Sequence, residues 1–167
     1  MAERITFPSS SGPALAGLFD LPNGEPRGWG VFAHGFTLGK DSPAASRICK
    51  QLAFEGIGML RFDHQGRGDP EGDGGAASFA HPVAATVRAV EFMNDSGRPV
   101  HLLVGHSFGG AAVIAAAHDC LTVGAVVSIG APFQPAHVEH NYDALVHCIE
   151  ADGEAQFLIG GKALTLR

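Results

Sequence analysis

The chain has 167 residues, 46% of them hydrophobic and 17% charged, with a formal net charge of -6. That is enough apolar material for one globular domain over residues 1–167, and it argues against disorder. The acidic balance and the absence of a Lys/Arg cluster beyond isolated residues such as Arg47 and Lys50 exclude a phosphate-backbone binder, so no nucleic-acid partner is expected.

The N-terminal MAERITFPSS carries no signal-peptide core, and no run reaches the 18 or more apolar residues of a membrane span, so no membrane partner is expected. Cys49, Cys120 and Cys148 are odd in number and far apart, which suits reduced thiols in a cytoplasmic protein.

In chain order, RITFPSS (4–10) and PALAGLFDLP (13–22) read as a hairpin about a Ser-Gly-Pro turn. GWGVFAHGF (28–36) is a buried strand ending in a His-Gly turn. Asp41 or Ser42 can then cap a helix with Pro43 at its first position, Ala45, Ile48, Cys49 and Leu52 at helical spacing, and Gly56 as its stop. GIGMLRFD (56–63) is the next strand, followed by the glycine-rich HQGRGDPEGDGG.

Val83, Val87, Val90 and Met93 mark a second helix. PVHLLVGHS (99–107) is a strand, GGAAVIAAAHDC (109–120) a helix of small residues, and GAVVSIGAP (124–132) another strand. Segment 133–167 reads as a cap-like helix and a hairpin turning at Gly160-Gly161. Apolar strands alternating with helices predict a mostly parallel sheet with helices on both faces, preceded by an antiparallel hairpin.

Gly105-His106-Ser107-Phe108-Gly109 matches G-x-S-x-G between a strand and a helix. In that setting the turn is too sharp for side chains two residues either side of the serine, and the serine is presented at a helix N-terminus. Ser107 is therefore the candidate nucleophile, Gly105 and Gly109 the elbow glycines, and the backbone N–H groups of Phe36 and Phe108 the candidate oxyanion donors. His34 reads as structural.

The Asp63 loop lacks the G-K-[S/T] of a phosphate loop, and a turn in which Asp63 accepts backbone N–H bonds fits it better. Asp69, Glu71, Asp73 and Gly74 resemble a calcium loop, but the twelfth position is Ala80 rather than Glu. His137, Glu139, His140, Asp143 and His147 cluster without a recognised metal spacing and read first as a solvated helix face. No metal and no cofactor are expected.

FAHGFTLGKDSPAASRI, LRFDHQGRGDPEGD, LVGHSFGGAAVIAAAH and SIGAPFQPAHVEH together resemble the α/β-hydrolase superfamily over nearly the whole chain. They are most similar to bacterial α/β-hydrolase domains often fused to an OsmC-like domain. The resemblance implies an esterase-type serine hydrolase acting on small acyl esters through an acyl-enzyme at Ser107. Pro70 departs from related loops, which often carry Ser there.

In that superfamily the acid and the histidine follow the nucleophile, near the last two strands. The resemblance implies that those strands, and the OsmC-like half, have no counterpart here. His137, His140 or His147 would have to serve as base, with Asp143 as orienter. The alternative is a non-catalytic or complementation-dependent protein that binds a ligand or partner chain. An apolar sheet edge at 124–130 is expected to make the chain a homo-oligomer.

Overall fold

The computed structural model describes residues 2–10, 12–35, 38–64, 79–134, 155–159 and 162–166. Six strands form one mixed sheet in the order β1-β2-β4-β3-β5-β6. β1 (Ala2–Phe7) and β2 (Leu15–Asp20) are the expected antiparallel hairpin, paired from Ala2 with Asp20 to Phe7 with Leu15. β2 continues antiparallel onto β4 (Ile57–Phe62), and β3 (Gly28–Ala33) then lies parallel to β4 and to β5 (Val100–His106). β6 (Ala125–Ile129) adds parallel to β5. A separate antiparallel pair, β7 (Ala155–Ile159) and β8 (Lys162–Leu166), brackets Gly160-Gly161 as the sequence predicts.

Among the described residues three α-helices join the strands of the six-stranded sheet. α1 (Pro43–Phe54) starts where expected: Ser42 is its N-cap, with Oγ accepting from the Ala45 amide at 3.3 Å, and Pro43 takes the first position, where its missing N–H costs nothing. Gly56, at φ 90°, ends the segment in the left-handed region that glycine adopts freely. α2 (Ala80–Asp95) and α3 (Phe108–Ala116) follow the remaining crossovers.

The pleat sends alternate side chains to opposite faces. Val31 and Leu103 join Phe62 and Val90 in the larger core, to which α2 and α3 contribute. Phe32 and Val104 face the other way, onto Ala45 and Cys49 of α1. The sheet is thus covered on both sides, as the strand–helix alternation predicts.

The buried stripe of α2 departs from the expected one. Pro82, Ala85, Thr86, Ala89, Val90 and Met93 are buried, whereas Val83 and Val87 are only partly so. Small side chains let the helix axis approach the sheet more closely than a valine stripe would allow. Thr86 tolerates burial because its hydroxyl donates to the Pro82 carbonyl at 2.7 Å.

β6 is the last strand on its side of the sheet among the described residues, and it is exposed: Val126 keeps 39% and Val127 44% of their surface. No helix among the described residues is long and apolar enough to cross a membrane.

Candidate active site

β5 ends at His106 and α3 begins at Phe108, so a single residue makes the reversal from strand to helix. That residue, Ser107, has φ 54° and ψ -125°, and it is the only non-glycine at positive φ among the described residues. For an L-residue this conformation is strained and persists only where its surroundings enforce it. Here the Ser107 amide donates to the Ile129 carbonyl at 2.8 Å, tying the turn to the end of β6. The Ser107 carbonyl accepts from the Gly110 amide at 2.8 Å and opens α3. Its side chain does not cap the helix, unlike that of Ser42.

The two flanking glycines are a steric requirement of the same turn. A Cβ on Gly105 would lie 2.2 Å from the Gly109 carbonyl oxygen, and one on Gly109 would lie 2.3 Å from that of Ala33. Both obstacles are backbone, so neither can swing aside. The G-x-S-x-G spacing is thus set by the approach of α3 to β5 and to the end of β3.

The His34-Gly35 turn lies against Ser107. A Cβ on Gly35 would come 3.2 Å from Ser107 Cβ. Leu38 N–H donates to the Gly35 carbonyl at 3.0 Å, closing a turn across this point. Phe36 itself lies outside the described residues, as do His137, His140, Asp143 and His147. Phe108 takes the first position of α3, with its buried ring edge-on to Phe79 at 5.5 Å.

His34 is buried, with both ring nitrogens engaged. Nδ1 is 2.7 Å from the Gly35 carbonyl oxygen, and Nε2 is 3.2 Å from the His64 amide nitrogen. A carbonyl only accepts and an amide N–H only donates, so His34 is the neutral tautomer with its proton on Nδ1. This supports the structural role expected for it. His64 packs on it at 4.1 Å between ring centroids, with Nε2 3.3 Å from the His34 carbonyl. By the same logic that nitrogen bears the proton, and the solvent-sealed Nδ1 has no partner among the described residues. Burial, and then the neighbouring His34, pull the His64 pKa down to about 3. The Nδ1 of His106, the residue before Ser107, is likewise buried without a partner among the described residues.

A charged network at the end of β4 goes beyond the backbone bonding expected of Asp63. Asp63 accepts from the Lys40 amide at 2.7 Å, the backbone bonding expected of it, and also from Lys40 Nζ at 2.5 Å. Burial pushes the Asp63 carboxyl up, but these bonds outweigh it and hold the group below its ordinary range. The hydrogen bond to Asp63 raises the Lys40 pKa in turn. Arg61 and Asp20 form an inner pair, with side chains only 4% and 3% exposed and Nε 2.6 Å from Oδ2. A signal was present in the sequence: charges within the apolar runs GLFD and MLRFD must find each other if both strands are buried.

Among the described residues no three His, Cys, Asp or Glu side chains converge as a metal site. What the described geometry offers is a strained serine at a helix N-terminus, where the helix field favours developing negative charge.

Comparison with known proteins agrees with this architecture. A family model described as serine aminopeptidase, S33 (Hydrolase_4) matches residues 24–150. The esterase domain of a Rhodothermus marinus protein is 36% identical, with a TM-score of 0.69, and the match covers 100% of this chain and 65% of that one. An alpha/beta hydrolase from Penicillium is similar in fold at 20% identity and a TM-score of 0.72, over 94% of this chain and 57% of its own. A dienelactone hydrolase from Anabaena variabilis shares the fold at 24% identity and a TM-score of 0.67, over 91% and 79% of the two chains. The chain thus spans less than two thirds of the length of the first two structures. No curated protein matches it. The chain belongs to the α/β-hydrolases, in the family described as serine aminopeptidase, S33.

Proposed function

We propose that this chain is an esterase-type serine hydrolase acting on small acyl esters. The observation that carries the reading is the backbone of Ser107, held at φ 54° between two glycines that no other residue could replace. In this mechanism Ser107 Oγ attacks the ester carbonyl and its proton passes to a histidine, for which His137, His140 and His147 are the candidates, with Asp143 as orienter. The oxyanion is held by the N–H groups of Phe108 and Phe36. Collapse expels the alcohol, which takes the proton from the histidine, and water then releases the acid from Ser107. No metal or cofactor enters these steps.

Similarity to the esterase domain of a Rhodothermus marinus protein supports an ester as the substrate. We take residues 1–167 as one hydrolase domain, with 133–167 as a cap-like segment. Turnover of p-nitrophenyl acetate that disappears in Ser107→Ala, with both proteins folded, is the expected result. Equal rates would refute the reading.

A second reading draws on β6. Val126 and Val127 lie exposed on an edge strand, and Phe133 just beyond is 99% exposed. Such an edge invites pairing with another chain. In this reading the protein is a homo-oligomer through 124–130, or hydrolyses only when a partner chain adds to that edge. Light scattering that shows a monomer with full esterase activity would exclude it.

A further inference from the structure

Residues at the end of β4 grip the segment that follows β3 from both sides. Arg61 Nη1 donates to the Lys40 carbonyl at 2.5 Å, and Asp63 Oδ1 accepts from the Lys40 amide at 2.7 Å. Upstream, the His64 amide donates to His34 Nε2 at 3.2 Å. Residues 34 and 40, either side of the turn that touches Ser107, are therefore tied to the same stretch, Arg61 to His64. Arg61 is itself fixed, because Nε and Nη2 reach the two oxygens of Asp20 at 2.6 and 3.4 Å. That leaves Nη1 for the Lys40 carbonyl.

An ion pair between Lys40 and Asp63 side chains would by itself contribute little. Bonds to both the amide and the carbonyl of one residue do something else: they fix where the main chain runs. The ionised Asp63 is acceptor-only, so one oxygen holds the amide while the other takes the ammonium. The held residue is two positions beyond Leu38, whose amide closes the turn on Gly35, and Gly35 lies against Ser107.

We propose that Arg61 and Asp63 are positioning residues that set the turn after β3 against Ser107 by holding both backbone polar groups of Lys40. The proposal rests on the hydrolase reading, in which that turn supplies a donor to the oxyanion. Such donors act only at hydrogen-bond distance from the developing charge, and a misplacement of about 1 Å costs about a hundredfold in rate.

The test compares Asp63→Ala, which removes both acceptors, with Asp63→Asn, which keeps an oxygen for the Lys40 amide and loses the ion pair. On p-nitrophenyl acetate, kcat should fall about ten- to hundredfold in Asp63→Ala with KM within about twofold, and recover to within about fivefold of wild type in Asp63→Asn. Hydrogen exchange at the Lys40 amide, which needs no turnover, should quicken about tenfold or more in Asp63→Ala and far less in Asp63→Asn. An unchanged kcat, a loss confined to KM, or an asparagine variant as poor as alanine would overturn the proposal.

A wild type no faster than Ser107→Ala would overturn the hydrolase reading instead. The clamp is then judged on exchange, and an unaltered Lys40 amide in Asp63→Ala refutes it. Should Asp63→Ala fail to fold, Arg61→Lys replaces it. A lysine cannot span Asp20 and the Lys40 carbonyl together, so kcat should fall in the same way, and an unchanged kcat refutes the proposal.

Discussion

Lowering the pH from 7 to 5 should weaken this fold through His64. Although the residue as a whole keeps some exposed surface, Nδ1, the atom that would take the proton, is sealed from solvent and has no partner among the described residues. Among the described residues the groups facing the ring are His34, which opposes protonation, and Asp63, which favours it too weakly to offset burial. The folded pKa is about 3 against 6.5 for an unperturbed histidine. Between those values the unfolded chain binds a proton that the folded chain refuses, so stability falls as pH drops through 6.5 and levels off only below 3.

At pH 5 the loss is 1.5 pH units below the unfolded value, about 2 kcal/mol at about 1.36 kcal/mol per unit. Against a typical net stability of about 5–15 kcal/mol this is readily measured. The lowered Asp63 works in a more acid window, its contribution being lost only as pH falls below the ordinary carboxylate range. Urea denaturation of the wild type and His64→Gln at pH 7 and pH 5 isolates the histidine. Glutamine can still donate to the His34 carbonyl but does not titrate. The wild type should lose about 2 kcal/mol more than the variant between the two pH values. Parallel losses would refute the assignment of a neutral, sealed His64.

Other expectations follow from equally local features. Asp20→Ala strands the buried Arg61 charge and should cost about 3–5 kcal/mol in urea denaturation, because one partner of a buried pair is left unpaired. Ser42→Ala removes the cap of α1 and should lower stability by about 1 kcal/mol, read from the same experiment. Gly109→Ala forces a methyl onto the Ala33 carbonyl; it should abolish esterase turnover and lower the melting temperature, and wild-type behaviour would contradict the close approach of α3. Val127→Lys should shift any oligomer toward monomer in light scattering, since a lysine on an exposed edge opposes pairing.

Local signals in the sequence were sufficient for much of this fold. Ser42-Pro43 marked the start of α1 because a cap and an N1 proline act within a few residues of each other. The elbow was legible because LLVGHSFGGAAV carries strand, turn and helix in one stretch, and the close contacts at Gly105 and Gly109 explain the spacing. The hairpin of β1 and β2 was legible for the same reason.

What the sequence did not disclose depends on contacts between distant residues. The face of α2 that meets the sheet is decided by how closely the helix can approach, which is why Ala85 and Ala89 are buried ahead of Val83 and Val87. Arg61 and Asp20 are 41 positions apart, and the His34–His64 pair is 30 apart. Each of these needs the sheet order before its partner can be named. The candidate partners of Ser107 at 137–147, and the candidate oxyanion donor Phe36, lie outside the described residues.

The most direct test of the central claim is the mass of the chain after reaction with a fluorophosphonate, followed by peptide mapping. The account predicts one phosphonyl adduct, on Ser107, and none in Ser107→Ala. An unlabelled wild type, or an adduct on another residue, would contradict it.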